Sequence, residues 1–80
     1  MKIYDYNGKK NISGERIREF RTKRRMSQQD LAAQLQVRGV TIERNCVSRM
    51  ETGARFITDY ELKVLSNIFG VSTDWLTGKE

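Results

Sequence analysis

From residue 17 onward, apolar residues recur three and four apart and polar residues fill the intervals, the period of an amphipathic helix. Ile17 and Phe20 mark the first helix, predicted from Ser13, its cap, to about Lys23–Arg25. Glu15 lies in its first turn and basic residues at its end, as the helix dipole favours. A second helix, "MSQQDLAAQL", starts behind Ser27 with Asp30 three residues on, a short version of the capping box. Its apolar face is Leu31, Ala32 and Leu35, and it ends before Gly39. "VRGVT" then reads as a break. A third helix begins near Glu43 and ends near Thr52, where Gly53 supplies a left-handed stop. Thr58 with Glu61 matches the capping box in full and opens a fourth helix. Leu62, Leu65, Ile68 and Phe69 form its face and Gly70 closes it. The last, "STDWLTG", has Ser72 as cap, Asp74 in the first turn, Trp75 and Leu76 for burial, and Gly78 as stop. With no proline and no credible strand beyond the N-terminal segment, the pattern predicts an all-α domain of five helices.

The first thirteen residues show no helical period. Asn7-Gly8, between Tyr4/Tyr6 and Ile12, suits a two-residue hairpin turn, but an isolated hairpin is marginal and a disordered basic arm fits equally. The expected division is an arm over 1–13 and a domain over 14–78. Eighty residues make one domain, and a chain this short buries only about 60% of its unfolded surface. Phe69, Trp75 and Leu76 therefore serve either the core or a symmetric partner.

Charge narrows the partner. Fifteen basic against ten acidic residues give a net charge of +5 and a pI near 9.7, which favours a polyanion: nucleic acid first, an anionic membrane surface second. No apolar run is long enough to span a bilayer and no secretory signal is visible, so no membrane association is expected. One cysteine cannot form an internal disulfide, which fits a reducing cytosol and a cytoplasmic protein. The absence of histidine argues against a zinc site and against acid–base chemistry near neutral pH. With no nucleophile–base pair, metal cluster or phosphate loop, the chain is not expected to be an enzyme. No cofactor, metal or small-molecule ligand is implied.

The third helix carries the chemistry. Residues three and four apart share a face, so Arg44 lies beside Ser48, and Asn45 beside both Ser48 and Arg49. Val47 and Met50 lie opposite and anchor the helix. The polar face bears the groups that read base edges: a guanidinium fork for guanine and an amide for adenine. Cys46, one turn before Met50, belongs at the edge of the core. A redox sensor is its alternative role, although no histidine neighbours it and nothing lowers its pKa.

In combination, Ser-Gln opening the second helix, Leu-Ala within it, "VSRMETG" ending the third and "GVSTDWL" at the close resemble the phage repressor/Cro type of helix-turn-helix domain. The resemblance runs from about Ile12 to Gly78. It implies a five-helix lambda-repressor-like fold whose third helix lies in the major groove. It carries base reading to Arg44, Asn45, Ser48 and Arg49, and a phosphate contact to Gln28. Glu43, Thr52, Arg55, Lys9 and Lys10 become candidate contacts to the DNA backbone. Glu43 could instead cap the helix, accept from cytosine or repel phosphate. Arg21 pairs, by the same resemblance, with Glu51 at the end of the third helix. The departure is the linker "VRGVTI", about five residues longer than the usual turn. The implied function is a sequence-specific double-stranded DNA-binding transcriptional regulator, a repressor by occlusion, that binds DNA as a homodimer. The alternative is a protein-interaction module, such as an antitoxin or anti-repressor partner, on the same fold.

Overall fold

The computed structural model describes residues 6–79. Among these, five helices follow in order: α1 Gly14–Lys23, α2 Gln28–Val37, α3 Arg44–Thr52, α4 Asp59–Phe69 and α5 Thr73–Leu76. Local chemistry sets most of their starts. Ser27 Oγ accepts from the Asp30 amide while the Asp30 carboxylate accepts from the Ser27 amide, so α2 opens on a complete capping box. Thr58 and Glu61 do the same for α4, and Ser72 Oγ takes the Trp75 amide of α5. Each cap satisfies amides that have no partner within the helix.

α1 departs from expectation. Ser13 makes no side-chain cap bond, because its own backbone is already helical, at φ −101° and ψ −11°. The cap comes from Asn11, whose Oδ1 accepts from the amides of Ser13 (3.2 Å) and Gly14 (2.8 Å). The same amide group donates through Nδ2 to the carbonyls of Met50 (3.0 Å) and Arg55 (2.8 Å), tying the start of α1 to the end of α3. Gly14 permits this approach: a Cβ there would stand 2.1 Å from the Met50 carbonyl oxygen.

Ile17, Leu31, Leu35, Val47, Met50, Leu65, Phe69 and Leu76 are fully buried in one core. Phe20 extends it, with its ring centre 5.1 Å from Phe69 and 5.6 Å, edge-on, from Trp75. Phe69 and Leu76 are therefore core residues rather than a partner surface, and Trp75 is partly buried against them.

The long linker, residues 38–43, does not hang in solvent as a break would. Val40 and Ile42 are buried at 4% and 2% exposure, while Thr41 between them points out. The Val40 amide donates to the Leu35 carbonyl, and Gln36 Nε2 donates to the carbonyl of Ile42. The extra residues form a short extended strap with alternating sides, and α2 still packs on α3.

At the N-terminus, Asn7 (φ 53°) and Gly8 (φ 81°) both adopt left-handed backbone, and Tyr6 and Lys9 exchange N–H···O bonds of 2.7 and 3.0 Å. This is the hairpin alternative for residues 6–9; Tyr4 lies outside the described residues. The Lys10 amide donates to the Gly53 carbonyl at 2.8 Å, so the turn rests on the end of α3. No helix among the described residues is long and apolar enough to cross a membrane.

The strap should matter to stability. Ile42→Ala is expected to cost about 2–5 kcal/mol in urea unfolding, whereas Thr41→Ala should stay within about 0.5 kcal/mol. Equal effects would show that the strap is not part of the core.

Candidate nucleic-acid interface

α3 is anchored from behind and open in front. Val47 and Met50 are fully buried, and Glu51 is 7% exposed. Arg44, Asn45 and Arg49 are exposed, and their side chains make no hydrogen bond or ion pair with any described residue; Ser48 is half-buried beside them. The helix begins at Glu43, which occupies the cap position in extended backbone but makes no side-chain cap bond. Gln29 and Gln36 of α2 join Glu43, Arg44 and Asn45 in lining an open groove at this end. The two glutamines, seven residues apart on one helical face, carry no signal in the sequence, where exposed amides look like ordinary surface.

The anchor is ionic as well as apolar. Arg21 Nε donates to Glu51 Oε2 at 2.6 Å, Nη2 donates to Oε1 at 3.0 Å, and Nη1 donates to the Met26 carbonyl at 2.7 Å. The hydrogen bonds that Arg21 donates to Glu51 raise its pKa against the lowering effect of burial. Gln28, expected at a phosphate, turns one N–H of its amide to Glu51 Oε1 at 3.1 Å. A single carboxylate thus gathers α1, α2 and α3.

The remaining candidates divide. Thr52 is exposed, and its hydroxyl donates to the Arg49 carbonyl. Lys9 is exposed, pairs with Glu15 at 3.1 Å, and lays its stem against Gly53. The Lys10 ammonium stands 5.7 Å from the centre of the Phe56 ring. These three residues cluster at the end of α3. Arg55 does not join them as a free phosphate ligand. Its Nη1 and Nη2 grip the two oxygens of Glu61 at 2.9 and 3.0 Å, and Nη1 also reaches the Phe56 carbonyl. The reason is Glu61, a capping carboxylate that is 2% exposed and therefore requires a cation. Cys46 is a free, half-buried thiol packed at the core's edge.

Burial pushes the Glu61 carboxyl upward, but the hydrogen bonds from Arg55 and from the Thr58 amide outweigh it and hold the carboxyl below its ordinary value. A carboxyl that titrates lower in the folded chain stabilises it fully above the ordinary glutamate range, and loses that contribution as pH falls through the folded value. Unfolding free energy should therefore drop as pH is lowered below about 4.3, the ordinary glutamate pKa, and Glu61→Gln should flatten that dependence. Arg21→Ala leaves the Glu51 carboxylate buried without its cation. It should lower stability by about 3–5 kcal/mol, read as an earlier denaturant midpoint. An unchanged midpoint would show that the pair is not an anchor.

A helix-turn-helix family model matches residues 17–76. A comparison with curated proteins gives no match. Among solved structures, the P22 c2 repressor protein, crystallised with synthetic operator 9T in the presence of Tl+, superposes with a TM-score of 0.73. It is 27% identical over 88% of this chain and 98% of its own. The matched span holds all five helices apart from the first turn of α1, and the strap lies within it. The chain belongs to the helix-turn-helix family and shares its fold with that repressor.

Proposed function

We propose that this protein is a sequence-specific double-stranded DNA-binding transcriptional regulator that represses by occupying its operator. The observation that carries the reading is the unpartnered polar face of α3 on a helix fixed from behind, in a fold shared with a repressor crystallised on operator DNA. Arg44 and Arg49 offer forks suited to the O6 and N7 acceptors of guanine, and Asn45 an amide suited to the N6 and N7 of adenine. Ser48 adds a short hydroxyl between them. Their side chains break no bond to a described residue to reach a base, which favours binding without rearrangement. Glu43, unneeded as a cap, suits a cytosine amine better than a phosphate.

Position on the duplex would come from Gln28, through the N–H that Glu51 does not use, and from Thr52, Lys9 and Lys10 at the far end of α3. The pair Arg55–Glu61 has a structural role instead. Two copies related by a two-fold axis would place their α3 helices in successive major grooves, roughly 34 Å apart. The net charge of +5 supports attraction to the polyanion.

Selection from a random duplex pool should return a palindrome. Asn45→Ala and Arg44→Ala should each relax preference at one position per half-site, by about 1–3 kcal/mol. Lys10→Ala should weaken all sequences alike and make the salt dependence shallower. If no duplex is enriched, or affinity is insensitive to salt, the fold serves a protein partner instead.

A further inference from the structure

Two adjacent arginines close α1 and have opposite fates. Arg24 turns inward. Its Nη1 donates to the Ile68 carbonyl at 3.1 Å and Nη2 to the Phe69 carbonyl at 2.7 Å, and its guanidinium lies 4.7 Å from the centre of the Phe20 ring. It thereby neutralises the last carbonyls of α4 rather than those of its own helix. Arg25 is exposed, and its side chain makes no hydrogen bond or ion pair with any described residue.

The backbone under Arg25 sits at φ 56°, in the left-handed region that disfavours every side chain except those of a few small polar residues. The turn needs that geometry. The Arg25 amide donates to Thr22 at 3.0 Å and the Met26 amide to Arg21 at 3.1 Å, which ends α1 and aims the chain into the Ser27 cap of α2. Glycine meets the requirement at lower conformational cost. The arginine side chain gives nothing back among the described residues: it reaches no carbonyl of α1, no acid and no ring there. Its base is nevertheless rigid. Met26, the next residue, packs against the core, and its carbonyl accepts from Arg21 Nη1, the same guanidinium that grips Glu51 under α3. Arg25 is thus held at a fixed offset from the reading helix, three residues ahead of Gln28.

We propose that Arg25 is a phosphate-binding residue of the DNA interface, on the flank served by Gln28. This rests on the reading given under Proposed function. A guanidinium in this position positions the protein without reading sequence, because a planar fork suits a phosphate and no neighbouring group supplies a base-edge pattern.

The test compares the full chain with Arg25→Gly and Arg25→Lys. Melting temperature is read alongside fluorescence anisotropy on a selected duplex and an unrelated duplex across a salt series. Arg25→Gly should melt higher, since the left-handed strain is relieved. It should bind both duplexes on the order of tenfold more weakly at low salt. Its slope of log affinity against log salt should be shallower by about 0.9, one phosphate contact. Arg25→Lys should keep the parental slope. If Arg25→Gly binds both duplexes as the parent does, the inference is overturned while the DNA reading stands. A melting temperature that falls together with affinity also overturns it, because a loosened turn then accounts for the loss. A parent that retains neither duplex overturns the DNA reading and this inference with it.

Discussion

Glu51 is the constraint on which the molecule turns. It sits in the last turn of α3 with only 7% of its surface exposed, and a carboxylate there must be matched or the helix cannot pack. Arg21 of α1 matches it with a two-pronged grip and Gln28 of α2 adds a third bond. Because the three donors come from two helices, the position of α3 is fixed in rotation as well as in depth. Val47 and Met50 alone would hold it down but would allow it to roll, since apolar contact has no direction. The polar face on the other side therefore has a set orientation before any partner arrives.

A second junction acts at the same end. Asn11 uses both amide hydrogens and its carbonyl oxygen to join the start of α1, the last turn of α3 and the loop beyond it. Gly14 lets the two backbones meet, and the hairpin at Tyr6–Lys9 rests on Gly53. The residues that looked like a loose arm include the ones that close this joint. A boundary drawn at residue 13 on periodicity cannot detect this, because the joint is built from backbone carbonyls 39 and 44 residues away.

What was legible in the sequence was local. The Ser27–Asp30 and Thr58–Glu61 boxes and the stops at Gly53 and Gly70 depend on residues within one turn of each other, so spacing alone reveals them. The opposition of Arg44, Asn45 and Arg49 to Val47 and Met50 follows from the same periodicity. Contacts without a period were hidden. Val40 falls in the stretch that reads as a break and Ile42 at the end of the long linker, although their alternation with Thr41 is the pattern of a strap buried on one side. Arg55 looked free because its partner, Glu61, already had a visible task as a cap. A carboxylate can do both when it is buried, and the sequence does not show burial.

These hidden pairings change what the charge means. Arginines counted toward a general basic character fall into two populations. Arg16 donates to the Trp75 carbonyl at 2.6 Å and stacks on that ring, Arg24 covers the end of α4, and Arg21 and Arg55 pair with buried acids. Each of these cations is fixed by a short internal bond, and moving one toward a phosphate would break it and strand a carbonyl or a carboxylate. Arg18, Arg25, Arg44 and Arg49 make no such bond with any described residue. The cations free to move onto a phosphate are therefore fewer than the fifteen basic residues suggest, and Arg44 and Arg49 among them ride on the helix that the Glu51 anchor holds in place. An interface of this kind gains specificity from orientation rather than from the number of positive charges, because a fork held at a set angle distinguishes acceptors that a mobile ammonium would treat alike.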